Sequence, residues 1–289
     1  MLVAAAALLR RSLRNPWDDK LVRAAARFTR INAARVPLSI GFAGLTYNGY
    51  GVAITRTDEA IVLAGGFGTR LRGVVDDVPK PLAAVAGRPF LAWLLDALAT
   101  QGIRRVVLAT GYRGEQIEAA CGTSWRGMAL AYSREPEPLG TGGAIALALS
   151  HVAGEACFVL NGDTWLQLDY QRFGAAARAS GARLAVALAA VPDVARYGAV
   201  RVAGARVEGF NEKGQSGPGL VNAGVYRIAR SLLADFPAGT PFSFERDVLV
   251  PAVAREAVAA FVATQGFIDI GVPEDYRRAQ SLFPAGGVA

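Results

Sequence analysis

The apolar run Ile61-Val-Leu-Ala64 breaks into three glycines within four residues, Gly65, Gly66 and Gly68, with Thr69 and Arg70 directly behind them. An apolar strand that ends in a Gly-rich turn is the usual opening of an α/β unit that binds a phosphorylated ligand. Glycines let the backbone approach a phosphate chain and turn its N–H groups toward it. Arg70 adds a planar cation suited to phosphate oxygens. Lys80 stands between Pro79 and Pro81, and the flanking prolines restrict where its ammonium points. The pattern lacks the third glycine of the dinucleotide fingerprint and the Gly-Lys-Ser/Thr of a P-loop. Taken alone, the same residues also make an ordinary tight turn with two surface cations.

The formal charge of +7 is unevenly placed. Residues 1–57 carry nine Lys/Arg against two Asp/Glu, a net +7, and residues 58–289 carry 22 of each sign, a net zero. A nucleic-acid-binding reading of the main domain therefore has no electrostatic support. The expected division is a basic extension over 1–57 and one domain over 58–289. The Ala- and Arg-rich extension reads as a segment foreign to the enzyme, begun at a start codon too far upstream. It also reads as a poorly ordered or partner-binding extension, such as a transit peptide or a basic amphipathic helix on a membrane. No apolar run is long enough to span a bilayer. Cys121 and Cys157 lie in no metal-spaced pattern, and Cys157 reads as a buried thiol. Without disulfides, a reducing cytoplasm is the expected compartment.

Strands are predicted over Glu59–Ala64, Val106–Ala109, Ala129–Tyr132, Ala156–Leu160 and Leu184–Val191. Helices are predicted over Arg88–Thr100, Gly114–Ala120, from the stretch Glu135–Ile145 to about Val152, Asp169–Ser180 and Phe242–Ala257, the last kinked or broken at Pro251, with a final helix through Gln280. A hairpin turns at Ala203-Gly204. The glycines at the start of the third helix offer N–H groups and a positive dipole end to an anion or a nucleobase, or are simply an N-cap. Asp163, in Asn161-Gly-Asp, stands where open α/β sheets bind ligands and could hold Mg²⁺, or it forms a turn. Asp269 lies between two isoleucines, a costly place for a charge unless it is paired or metal-bound. Glu212-Lys213 and Asn222-Ala-Gly, read alone, are a solvated pair and a turn. His151 reads as a surface or capping residue, and no nucleophile–histidine set is present.

Ala60-Ile-Val-Leu-Ala-Gly-Gly-Phe-Gly-Thr-Arg-Leu71 followed by Val78-Pro-Lys-Pro-Leu82 resembles the signature of the sugar-1-phosphate nucleotidyltransferases. Leu139-Gly-Thr-Gly-Gly-Ala144, Gly162-Asp163, Phe210-Asn-Glu-Lys213 and Asp269-Ile-Gly-Val-Pro-Glu-Asp-Tyr276 follow in the family's order, with Val272 replacing the common Thr. The likeness spans about 58–280 and is strongest to the D-glycero-α-D-manno-heptose 1-phosphate guanylyltransferases. It implies a Rossmann-like three-layer α/β/α nucleotidyltransferase (GT-A-like) fold with a mostly parallel central sheet; since the sequence ends soon after the Asp269 motif, no appended β-helix domain is expected. It also implies a nucleoside triphosphate, GTP in the closest group, and a sugar 1-phosphate as partners, Mg²⁺ as cofactor, and a homo-oligomer as a compatible state.

The resemblance further implies roles. Arg70, Lys80 and Asp163 would be catalytic. Leu63, Ala64, Gly65, Gly66, Gly68, Thr69, Arg70, Gly111, Gly140, Thr141 and Gly142 would bind the nucleotide. Gly198, Glu212, Lys213 and Asn222 would bind the sugar phosphate, and Asp163 and Asp269 the metal. The product would serve surface-glycan assembly in lipopolysaccharide, capsule or S-layer glycan. Mannose-1-phosphate guanylyltransferase and the uridylyl- and thymidylyltransferases are rivals within the family. A non-catalytic nucleotide-sugar sensor is the rival from another class, and it would have lost a metal carboxylate, the lysine or the arginine.

Overall fold

The computed structural model describes residues 45–47, 52–54, 57–66, 78–211, 214, 216–255, 258–263 and 266–284. The expected roles of Gly68, Thr69, Arg70, Glu212 and Lys213 fall outside these residues. By internal packing the chain divides into two units, Met1–Arg56 with Gly174–Gly181, and Thr57–Phe173 with Ala182–Ala289. In the first, β1 (Leu45–Tyr47) and β2 (Val52–Ile54) form an antiparallel pair.

The second unit is built on one ten-stranded sheet. Its elements begin with β3 (Glu59–Leu63), a 3₁₀ turn at Lys80–Leu82, the short hairpin β4 (Ala84–Val85) and β5 (Arg88–Pro89), and helix α1 (Phe90–Thr100). Next come β6 (Arg105–Thr110), α2 (Gly114–Cys121), β7 (Ser124–Trp125), β8 (Met128–Arg134) and α3 (Gly140–Ala148), which tightens to 3₁₀ over Leu149–His151. Then follow β9 (Ala156–Asn161), β10 (Thr164–Leu166), α4 (Tyr170–Ser180), of which only Tyr170–Phe173 belongs to this unit, and β11 (Leu184–Val191). The hairpin β12 (Val200–Ala203) and β13 (Arg206–Phe210) leads to β14 (Gly219–Ala229). The chain closes through a π-helix (Phe244–Leu249), α5 (Val250–Arg255), β15 (Ala259–Ala263), β16 (Phe267–Asp269) and α6 (Pro273–Leu282).

The sheet order is β12-β13-β15-β11-β14-β9-β3-β6-β8-β7. The pairings make β8, β6, β3, β9, β11, β15 and β12 run one way, and β7, β14 and β13 run against them. The sheet is thus mixed but mostly of one direction, as an α/β fold requires.

Strands buried on both faces read as unbroken apolar runs rather than alternation, and β3, β6 and β9 do so. Ile61, Val107 and Val159 join Ile145 of α3 in one core cluster on one face. Ala60, Val62, Leu108 and Phe158, equally buried, point the other way, and there the Phe158 ring meets Tyr170 and Phe173 of α4. Cys121 and Cys157 are buried free thiols, and burial pushes the Cys121 thiol up to about 11.

Three predicted elements differ. The helix expected from Arg88 starts at Phe90, because Arg88 and Pro89 pair with Val85 and Ala84 and Pro89 is extended at the N-cap. The segment expected as a single helix over Phe242–Ala257 is a π-turn at Phe244–Leu249 running into α5, with Pro251 harmless near the N-terminus of α5. Asn222-Ala-Gly is not a turn. It is a bulge inside the eleven-residue β14, where the register against β11 shifts between Ala187 and Leu188.

Candidate active site

The chain leaves β3 for β6 and β8 on one side, then returns to place β9 on the other side of β3. That reversal is the topological switch point at which open α/β sheets bind ligands, beyond the carboxyl ends of the strands. A cleft of about 560 Å³ opens there. Leu63, Ala64, Gly65, Gly66, Gly111, Gly140 and Thr141 line it, together with Lys80 and Asp163. Tyr112, Glu135, Glu137 and Asn161 are further polar residues of its lining.

Backbone packing explains several of its glycines. The Gly162 N–H donates to the Leu63 carbonyl at 2.9 Å, locking the end of β9 to the end of β3. A Cβ on Gly162 would strike that same carbonyl. A Cβ on Gly65 would lie 3.0 Å from both the Gly111 nitrogen and Glu135 Oε1. The two glycines therefore form a bare backbone floor.

The start of α3 is held from the far side by the segment before the π-helix. The Gly142 N–H donates to the Phe242 carbonyl at 2.9 Å. The Phe244 N–H donates to Thr141 Oγ1 at 2.9 Å. Gly142 does not line the cleft; it is buried against the Phe242 ring, which fills the space of its missing Cβ. One of the N–H groups expected for a ligand at this helix start is thus already spent on the protein.

Asp163 and Asp269 come together through the small pair β10–β16, in which Thr164 stands opposite Asp269. The Ile270 N–H closes the junction by donating to the Asp163 carbonyl at 2.9 Å. Lys80 forms an ion pair with Asp163. Asp269 accepts the Gly271 N–H at 2.7 Å and faces Arg196 Nη2 at 3.4 Å. Burial and the neighbouring charge of Asp163 push the Asp269 carboxyl above its ordinary value, against the pull of the Gly271 N–H, Lys80 and Arg196. A carboxylate whose ionisation is opposed by a neighbouring carboxylate charge suits a divalent cation. The hard oxygens of the pair fit Mg²⁺, which takes one or two carboxylates and completes its shell with phosphate oxygens and water. Among the described residues no group of three or more metal-ligating side chains occurs.

Gly198 and Asn222 do not line the cleft. Gly198 sits in a turn at φ 83° with its N–H donated to the Val194 carbonyl at 3.0 Å. Asn222 is fixed in the bulge, its Nδ2 donating to Tyr226 Oη at 2.8 Å and to Glu245 Oε1 at 3.0 Å.

Sequence reasoning passed over Arg196 and Asp275. Arg196 ion-pairs with the buried Asp275 of α6 while facing Asp269, and its guanidinium lies over the Tyr197 ring. The two partners are 79 positions apart in the chain, so no local pattern signals the pair. Glu135 was also missed as a site residue. Its position just after β8 and before the Gly-rich helix start was the available signal.

A family model described as Nucleotidyl transferase matches residues 59–285. The chain belongs to the nucleotidyl transferase family. This nucleotidyltransferase is 40% identical over 222 residues to the D-glycero-alpha-D-manno-heptose 1-phosphate guanylyltransferase of Aneurinibacillus thermoaerophilus, covering 77% of this chain and 96% of that protein. It is 39% identical over 219 residues to the protein of the same name from Campylobacter jejuni, covering 75% and 96%. Among solved structures it is similar to HddC from Yersinia pseudotuberculosis complexed with GMP-PN, with a TM-score of 0.71, 36% identity, and coverage of 79% of this chain and all of that one. Among the described residues of this nucleotidyltransferase, no helix is long and apolar enough to cross a membrane.

Proposed function

We infer that this nucleotidyltransferase transfers GMP from GTP to D-glycero-α-D-manno-heptose 1-phosphate, forming the GDP-sugar and releasing pyrophosphate. The observation that supports nucleotidyl transfer is the Lys80–Asp163 ion pair within a glycine-floored cleft at the sheet's switch point. The choice of GTP and heptose phosphate rests on the relatives at 39–40% identity. The absence of a nucleophile–histidine set is no obstacle. A sugar phosphate is already anionic near neutral pH, so its oxygen attacks the α-phosphorus without a general base. The new P–O bond forms in line with the breaking bond to the β-phosphate oxygen, and pyrophosphate leaves as an anion.

The site's task is alignment and charge neutralisation. Gly65, Gly66 and Gly111 provide a backbone surface on which the nucleotide lies. Lys80, held between two prolines and mostly buried, brings a cation to the α-phosphate. Arg70 is assigned to the outer phosphates, and Glu212, Lys213, Asn222 and Gly198 to the sugar phosphate. Asp163 and Asp269 would hold Mg²⁺, which supplies Lewis-acid stabilisation of the phosphate charge when bound. All four residues whose loss would mark a non-catalytic sensor, Arg70, Lys80, Asp163 and Asp269, are present. The reading places the enzyme in the cytoplasm, feeding a surface glycan of lipopolysaccharide, capsule or S-layer type.

The test is pyrophosphate release by purified protein with Mg²⁺ across four nucleoside triphosphates and a panel of sugar 1-phosphates. Turnover is expected with GTP and the heptose phosphate, and Lys80→Ala is expected to lower kcat by about 10²–10³-fold. Turnover confined to another pair would replace the substrates. Nucleotide binding without turnover on any pair would sink the enzyme reading.

A further inference from the structure

We propose that Arg196 is a positioning residue: anchored by Asp275 and Tyr197, it holds the Asp269 carboxylate in the orientation that takes a divalent cation. This rests on the reading of Asp163 and Asp269 as metal carboxylates and deepens it. Arg196 does not line the cleft, so its effect on the reaction passes through Asp269. Both oxygens of Asp269 are engaged by the protein. Oδ1 accepts the Gly271 N–H at 2.7 Å, and Oδ2 faces Arg196 Nη2 at 3.4 Å. A Cβ on Gly271 would lie 2.6 Å from Asp269 Oδ1 and 3.0 Å from Lys80 Nζ, so the carboxylate stands beside the lysine of the cleft. A carboxylate offers about four lone-pair sites, and these two contacts fix its plane while leaving lone pairs for a cation.

Arg196 is presented from a fixed turn. Asp193 Oδ1 accepts the Ala195 N–H at 3.0 Å and the Gly217 N–H at 3.1 Å. The Val194 carbonyl accepts the Tyr197 and Gly198 N–H groups at 2.9 and 3.0 Å. The guanidinium bonds Tyr197 Oη and lies over that ring, 4.4 Å from its centre. The ring in turn meets Phe267 of β16 edge to face at 5.4 Å. The other arm of the guanidinium pairs with the buried Asp275. A cation beside a metal carboxylate has two opposed effects: it repels the metal, and it orients the ligand. Here the repulsion is weak. The Arg196 charge is shared with Asp275, and 3.4 Å to Asp269 is longer than the roughly 2.7–2.9 Å of a full charge-assisted bond. Arg278, the second cation on Asp275, is mostly exposed and screened by solvent. Orientation is what remains, and outer-shell partners of metal ligands are worth about 10–100-fold in metal affinity.

Mn²⁺ is the probe, because its paramagnetism reports binding without turnover. Its binding to the full chain, free of substrates, is read by electron paramagnetic resonance, and Asp269→Asn defines the component that belongs to this site. In Arg196→Gln the Kd of that component is expected to rise about 10–100-fold. Arg196→Lys, which keeps the charge without the fork, is expected to restore part of the affinity. Asp275→Asn, which loosens the anchor of Arg196, is expected to give a smaller rise. Thermal melting identifies a variant that has not folded, and Kd is compared only among folded ones. A purely structural role would lower the melting temperature and leave the Kd where it was. The Mg²⁺ concentration for half-maximal pyrophosphate release is expected to rise in parallel. If the wild type binds Mn²⁺ through Asp269 and releases no pyrophosphate with any substrate pair, the enzyme reading fails and the Kd series still judges Arg196. Unchanged or tighter Mn²⁺ binding in folded Arg196→Gln, or no Asp269-dependent binding by the wild type, overturns the proposal.

Discussion

Arg196 bridges Asp269, at the end of β16, and Asp275, in α6. Its guanidinium is a planar fork that can serve two carboxylates at once, and here it does: one arm pairs with Asp275, the other faces Asp269 at 3.4 Å. Asp275 is the more exacting partner, with a side chain only 7% exposed, and its second cation is Arg278 at 3.1 Å. Removing one partner of a buried ion pair leaves an uncompensated charge, which costs more than the pair itself contributes. Arg196 is itself 36% exposed, so solvent screening reduces the cost. Arg196→Ala is therefore expected to destabilise the protein by about 1–3 kcal/mol in urea unfolding. Arg196→Lys, with a point charge in place of the fork, should recover part of that loss and no more. An unchanged unfolding midpoint in Arg196→Ala would show that Arg278 alone suffices for Asp275.

At the scale of elements, α3 shows how a cleft-lining helix is fixed by contacts on its hidden side. Phe242 lies where a Gly142 side chain would be, stacks on Phe236 at 4.2 Å, and accepts the Gly142 N–H through its carbonyl. Gly142→Ala must push either the ring or the helix start. Overpacking of this kind costs about 1–3 kcal/mol, and the shift would also move Gly140 and Thr141 in the cleft wall. A lowered denaturant midpoint together with a raised KM for the nucleotide is the expected result; a raised KM at wild-type stability would contradict the packing role.

The same helix shows what the sequence could and could not disclose. Its glycines were legible as a helix start, because glycine before an apolar periodic run is a local signal, but what they pack against was not. Phe242 is a hundred residues away, and nothing local links the two. The central strands were legible because burial on both faces leaves unbroken apolar runs. The β14 bulge was not, since Asn222-Ala-Gly has turn chemistry and only pairing with β11 and β9 on either side holds it in a strand. Gly224 takes φ 68° there, and a Cβ on it would meet the Asn161 side chain at 2.5 Å. Lys80 and Asp163 were legible as separate motifs with loop signals, and long-range topology alone brought them together. Arg196 escaped because its carboxylate partners, Asp269 and Asp275, are distant in the chain and only the fold brings them to it.

For the molecule as a whole, the uneven charge makes a prediction that the site itself does not. All of the +7 excess resides in residues 1–57, while 58–289 balance at 22 against 22. The family match begins at Glu59, and every residue assigned a role lies beyond it. We propose that 58–289 is the catalytic domain and that 1–57 adds charge without chemistry. Net charge governs nonspecific binding to anionic surfaces rather than fold, and that attraction is screened by salt over about 8–10 Å at 0.1–0.15 M ionic strength. A chain shortened to 58–289 is therefore expected to lose retention on a cation exchanger at neutral pH while keeping wild-type kcat/KM for pyrophosphate release. The full chain should be retained and should elute as salt rises. A shortened chain that folds but has lost turnover would mean that the basic segment takes part in substrate binding. If instead both chains are retained alike, the balanced domain must gather its cations into a patch that the charge count conceals.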